Sequence, residues 1–414
     1  MQAALSLTPM RINKNRAVVM YPFAMRYFFR PTCVGLALLA LAVPVRLAVP
    51  PAPDAHIQLL RTPNSGIQPQ TVVDASGTVH LIYFKGDAKA GDIEYVRRVV
   101  GSAAFSQPLR VNSLPRSAVA IGTVRGPQLA VGRNGRAYAI WFGPASKTEG
   151  HDDSMPVFFA RLNDSGSAFE PQRNLVHFAT GTDGGLSVAA DQNGNVYAVW
   201  HAAGDTPGED HRRVYLERSS DDGKTFSRES RVSPAELGAC GCCGMRAFVD
   251  LRGVLSILFR AAAQSIHRDM TLLTSQNKGE TFQARTVSSW ELNACPMSSA
   301  SFTEGAGKSF AAWEKAGQVY FSPLGGKLAE LFPVALSSTE QMLRKHPSIA
   351  ANRRGEVLLA WTEGTGWAKG GSVAWQLFDA SGKPLGAQGT APGLAVWGLP
   401  SVFADAAGNF TVVY

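Results

Sequence analysis

GLSVAADQNGNVYAVWH (185–201) is an apolar strand, a tight turn around Gly194, and an alternating strand that ends on Trp200 and His201. Asn-Gly between two such runs is the sequence signature of a two-stranded hairpin, because glycine takes the positive φ that a tight β-turn needs. The same pattern recurs as GIQPQTVVDASGTVHLIYF (66–84), GPQLAVGRNGRAYAIWF (126–142) and HPSIAANRRGEVLLAWT (346–362). More divergent copies are MRAFVDLRGVLSILF (245–259), SSASFTEGAGKSFAAW (298–313) and LPSVFADAAGNFTVVY (399–414).

The turn glycines are Gly77, Gly135, Gly194, Gly253, Gly307, Gly355 and Gly408. Six residues after each stands an aromatic: Tyr83, Trp141, Trp200, Phe259, Trp313, Trp361 and Tyr414. One offset kept seven times marks a structural position, a large ring packing between neighbouring sheets. The glycines are 58, 59, 59, 54, 48 and 53 residues apart, and each interval holds a second, weaker pair of strands. Four strands per repeat of this length predict an all-β fold, a β-propeller of four-stranded blades. The last copy has only its first two strands, and His56–Arg61 can supply an outer strand for it. Seven blades closed by both termini are therefore expected, and six if one weak copy is absorbed elsewhere. Closure removes the open sheet edges that invite aggregation.

Composition agrees. Apolar residues are 45% of the 414 and charged residues 17%, with 41 Gly and 24 Pro. This excludes a disordered chain and argues against a helical one. The net charge of +8 is concentrated at the start: residues 1–42 carry Arg11, Lys14, Arg16, Arg26 and Arg30 and no acid. The remainder has no concentrated basic face, so no nucleic-acid partner is expected. Arg26 and Arg30 precede the apolar run Cys33–Ala42, which has the length of a signal-peptide core and is short for a membrane span. The expected organisation is a signal peptide over 1–42, a linker over 43–55 and a propeller over 56–414. The protein would be exported, periplasmic or extracellular, with membrane contact only through an uncleaved leader.

Ser219-Ser-Asp221-Asp-Gly223-Lys-Thr225-Phe226 resembles an Asp box, the turn found in sialidases and other bacterial-neuraminidase-repeat propellers. Ser275-Gln-Asn277-Lys-Gly279-Glu-Thr281-Phe282 resembles a second, and Asp164-Ser-Gly166-Ser-Ala-Phe169 a partial third. The box is structural: its Ser and Asp side chains bond backbone in a tight hairpin. The resemblance covers about residues 56–414. It implies that Asp-box turns share one face, and that a ligand site would lie on the other, where loops carry Asp87, His151, Asp152, Asp153, Glu209, Arg268, Glu291 and Arg344.

A sialidase resemblance further implies three arginines on a substrate carboxylate, an Asp as acid/base and a Tyr nucleophile assisted by Glu. Arg61-Thr-Pro63 resembles the family's Arg-Ile-Pro motif, Arg268 and Arg344 are the candidates to complete the substrate-binding set, and Asp87 is the candidate catalytic acid/base. The nucleophile has no counterpart: after residue 290 the tyrosines are Tyr320, in a strand, and Tyr414, a register aromatic.

Outside the leader the cysteines are Cys240, Cys242, Cys243 and Cys295. Cys243 and Cys295 occupy equivalent entries into successive units, which places them side by side. Three readings stand: two disulfides, one of them joining Cys295 to Cys242 or Cys243 across units; a soft-metal site for copper(I) or zinc, in place of a chain without cofactor; or a redox-active disulfide. Two functions follow. One is an exported sialidase-like propeller, a glycoside hydrolase acting on acidic glycans. The other is a non-catalytic propeller that binds a glycan or other small ligand, a protein or a metal, with the cysteine cluster on its loop face.

Overall fold

The computed structural model describes residues 57–122, 124–145, 154–324, 332–333 and 342–414. The leader, the linker and His151–Asp153 lie outside the described residues. Every element among the described ones is a strand or a short 3-10 turn, and no helix is long and apolar enough to cross a membrane.

Seven sheets form the blades. Blade 1 is β2 (Ile67–Val73), β3 (Val79–Asp87), β4 (Ala90–Arg98) and β5 (Leu109–Arg110). Blade 2 runs from β6 (Gln128–Val131) through β7 (Ala137–Phe142) and β8 (Val157–Arg161) to β9 (Arg173–Asn174). Blade 3 comprises β10 (Leu186–Ala190), β11 (Val196–Ala202), β12 (Arg213–Ser219) and β13 (Ser230–Arg231). Blade 4 comprises β14 (Arg246–Val249), β15 (Leu255–Arg260), β16 (Met270–Ser275) and β17 (Gln283–Ser288). Blade 5 is β18 (Ala300–Gly305), β19 (Lys308–Lys315), β20 (Gln318–Pro323) and β21 (Phe332–Pro333). Blade 6 is β22 (Arg344–Ala351), β23 (Val357–Glu363), β24 (Gly371–Phe378) and β25 (Pro384–Leu394). The seventh has three strands, not four: β26 (Ser401–Ala404), β27 (Phe410–Val413) and, parallel to β27, β1 (Ile57–Leu60). The first strand of each blade neighbours the first strand of the next, so these seven strands ring a central channel.

The repeat glycines do what the sequence demands of them: all seven have φ between 68° and 86°. Six of the seven register rings are buried to 1% exposure or less, and Tyr414 is partly buried. A second turn signal, an Asp or Asn three residues before the glycine, escaped the sequence reading. Asp74, Asp191, Asp250, Asn352 and Asp405 each accept a backbone N–H four residues on, at 2.8–3.0 Å. This side-chain mimic of a turn closes the loop without solvent.

The Ser219 turn has the expected geometry. Asp221 Oδ1 accepts from Ser219 Oγ and Thr225 N–H, Asp221 Oδ2 accepts from Thr225 Oγ1, and Ser219 Oγ accepts from Gly223 N–H. Phe226 packs edge-on against Phe159 of blade 2. Asn277 repeats the arrangement with Ser275 and Thr281. In the partial third turn the bonding residue is Asn163, which accepts from Ser167 and Ala168, while Asp164 turns outward to Arg136 and Arg161. Because strands alternate in direction, these turns share one face with the repeat hairpins. The linkers between blades and the second-to-third-strand loops share the other.

Candidate functional site at the loop-face end of the channel

The residues named for a sialidase-type site do not come together. Arg61 lies at the outer rim, where it donates to the carbonyls of Pro392 and Gly393 and stacks 4.0 Å over the Tyr414 ring. It ties blade 7 to the outer strand of blade 6. Arg344 is buried and donates to Glu363 at 3.1 Å, beneath an indole N–H from Trp361 to the same oxygen. Arg268 is buried and paired with Glu209 of blade 3 at 2.6 Å. Asp87 sits exposed in the β3–β4 hairpin, where it accepts the backbone N–H of Lys89. Each is held by a different partner, and none faces another.

What the fold does bring together is the start of the seven first strands. They enclose a cavity of about 50 Å³ in the channel. Its lining includes Gln68, Gln70, Gln128, Arg246, Ser299 and His346 and, among the described residues, no Asp or Glu. Gln68 and His346 occupy matching irregularities of blades 1 and 6, where the strand register shifts, and both have left-handed backbone, at φ 52° and 51°. Such bulges re-aim side chains at the end of a strand.

Among the described residues Arg246 is the one cation of this lining. Its Nη1 donates to Gln128 Oε1 at 2.6 Å, and its Nε reaches the Ala300 carbonyl at 3.4 Å. Gln128 Oε1 also accepts from Gln70 at 2.6 Å. Among the described residues no carboxylate pairs with Arg246, and desolvation lowers its pKa to about 10. Arg125, by contrast, is paired with Asp183 at 2.6 Å. His346 lies 3.2 Å from Ser299 Oγ, and burial, then Lys345, pushes it down to about 3, so it is neutral at pH 7. The site therefore offers one fixed positive charge among amides and a hydroxyl. It can bind an anion. It contains no acid/base pair.

Sulfur stands beside this site. Cys242 and Cys295 are joined across blades 4 and 5, with Cα atoms 6.2 Å apart. The second bridge is not formed: Cys240 and Cys243 are buried free thiols whose sulfurs lie 3.2 Å apart. Burial would raise Cys243, but the Cys240 hydrogen bond, Arg260 and Ser298 hold it at about 6, while Cys240 keeps its proton.

Arg246 and Glu217 were not singled out from the sequence. Glu217 is fully buried on β12, where its Oε1 lies 3.3 Å from Nε2 of the exposed His177, and burial with Glu229 nearby raises it to about 8. An acid on the third strand of a blade, directly after the apolar run Val214-Tyr215-Leu216, was the available signal.

No protein-family model matches the sequence, and no curated protein matches it. Solved structures do. The α-L-arabinofuranosidase Arb93A of Fusarium graminearum aligns with a TM-score of 0.50 at 10% identity, over 78% of this chain and 97% of that one. The Hadza microbial sialidase Hz136 aligns at 0.49 and 14%, over 79% and 74%. The NanB sialidase of Streptococcus pneumoniae aligns at 0.48 and 10%, over 71% of this chain and 64% of its own length. Sialidases are thus among the structures this chain is similar to. The likeness is one of fold, and it carries no residue or reaction across.

Proposed function

We propose that this chain is an exported propeller that binds a carboxylate-bearing small ligand, an acidic glycan, at the loop-face end of its channel without hydrolysing it. The observation that carries this reading is Arg246: a half-buried guanidinium in a lining that, among the described residues, holds no acid and gives it no carboxylate partner. Desolvating a cation without a counter-charge is costly, and an anionic ligand relieves that cost. The cavity of about 50 Å³ takes a carboxylate head, and the rest of the ligand would lie on the loop face. Hydrolysis loses its support because Arg61, Arg268 and Arg344 are engaged elsewhere, Asp87 stands apart, and among the described residues no Tyr or Glu lines the channel cavity.

The test is calorimetric titration with N-acetylneuraminic acid, beside release from a fluorogenic sialoside. Binding should weaken with salt, and Arg246→Met should weaken it about 10–100-fold, the worth of a charge-assisted bond. Release should stay at the solvent rate. Turnover that disappears in Arg61→Ala would restore the hydrolase, and equal binding of chloride alone would reduce the site to a structural ion.

A further inference from the structure

Four sulfurs meet where the linkers entering blades 4 and 5 run side by side. Cys240 Sγ lies 3.4 Å from Cys242 Sγ and 3.2 Å from Cys243 Sγ, and Cys242 and Cys243 are 4.0 Å apart. Cys295 is bonded to Cys242. The backbone fixes this cluster from three blades. Cys240 N–H donates to Arg260 O, Gly241 N–H to the Glu209 carboxylate, Cys243 N–H to Cys240 O, and Gly244 N–H to Ser298 O. Two buried arginines flank it. Arg260 donates to Ser298 Oγ, itself 3.9 Å from Cys243 Sγ, and Arg268 leaves Nε and Nη1 buried without a partner.

A structural disulfide needs two cysteines here, not four. Four sulfurs at one point, three of them spaced 3.2–4.0 Å, match another geometry. Tetrahedral zinc with Zn–S bonds of about 2.3 Å places its sulfurs roughly 3.8 Å apart. We propose that Cys240, Cys242, Cys243 and Cys295 form a redox-gated zinc site: closed to metal while Cys242 and Cys295 are bonded, and complete when that bond is reduced. The step balances. A dithiol reductant gives two electrons and two protons to the Cys242–Cys295 bond and leaves as its own disulfide. The four thiols then take one Zn²⁺ and release four protons. The product carries a charge of −2, beside Arg260 and Arg268. No position on the metal stays open, so the site holds or senses zinc and does not hydrolyse. The proposal is independent of the ligand proposed for the channel.

Full-length protein, stripped with chelator, is titrated with Zn²⁺ and with Co²⁺ as a visible probe, with and without a phosphine reductant. The reduced chain should take up one zinc and show the intense bands of a tetrahedral cobalt thiolate. The oxidised chain should take up neither. Adding an oxidant should expel the metal and restore the Cys242–Cys295 peptide in non-reducing mapping. Cys295→Ser should bind more weakly and lose its response to reductant. Four titratable thiols in a folded, reduced chain that binds no zinc would overturn the proposal. So would equal uptake by the oxidised chain, or binding of copper(I) but not zinc.

Discussion

The two faces of this propeller are held by different kinds of contact. On the turn face each motif closes on itself within a few residues: Asp221 with Ser219 and Thr225, Asn277 with Ser275 and Thr281, Asp191 with Asn195. On the loop face several charged groups are buried or half-buried, and their partners come from other strands or other blades. Arg344 meets Glu363, Arg268 meets Glu209, and Arg246 reaches Gln128, which is 118 residues distant in sequence. A local turn that loses one bond relaxes into water. A buried charge that loses its partner has nothing to replace it.

This contrast orders the expected effects. Glu363→Ala leaves Arg344 and the Trp361 indole without their shared acceptor, and should cost about 3–5 kcal/mol in denaturant unfolding. A loss near zero would place that pair effectively in solvent and erase the difference between the faces. Asp221→Ala on the turn face should cost about 1–3 kcal/mol and leave ligand binding unchanged. Burial raises Asp221, but its bonds from Thr225, Ser219 and Lys224 outweigh this and hold it at about 2. Its contribution is thus present above the ordinary carboxylate range and lost as pH falls toward 2. Loss of binding at unchanged stability would put the ligand on the wrong face.

Between the faces, Glu217 reverses that sign. Its pKa is raised to about 8, so its contribution is present below about 4.5 and fades as pH rises through 8. Glu217→Gln should flatten this decline and stabilise the fold by about 1–2 kcal/mol at pH 9, read from melting across a pH series. An unchanged slope would show the carboxylate already solvated. The smallest effect belongs to Asn277→Asp, which completes the second box on a face where such turns are self-contained. It should shift stability by less than about 0.5 kcal/mol.

The same contrast explains what the sequence disclosed. Turn chemistry is local, so Gly194 with Trp200 revealed the blade and Ser219–Phe226 its outer hairpin. The cysteines were legible because four of them stand in a chain otherwise almost free of cysteine. Arg246 was not, because its significance is that no carboxylate pairs with it among the described residues, and that depends on what seven separate strands place around it. Arg61, Arg268 and Arg344 looked alike in sequence. Their neighbours Gly393, Glu209 and Glu363 are what separate a rim clamp from two buried pairs.

The parallel pairing of β1 with β27 has a kinetic consequence. Ile57 must find Phe410, and Leu60 must find Val413, across nearly the whole described chain. Closing so long a loop costs conformational entropy before any contact repays it. The six four-stranded blades can each pair within themselves as they are synthesised. The seventh cannot, and its first strand must wait unpaired until the last repeat is made. Ring closure is therefore the expected slow step of folding, and until it is complete Ile57–Leu60 remains an exposed edge on which two nascent molecules could exchange strands.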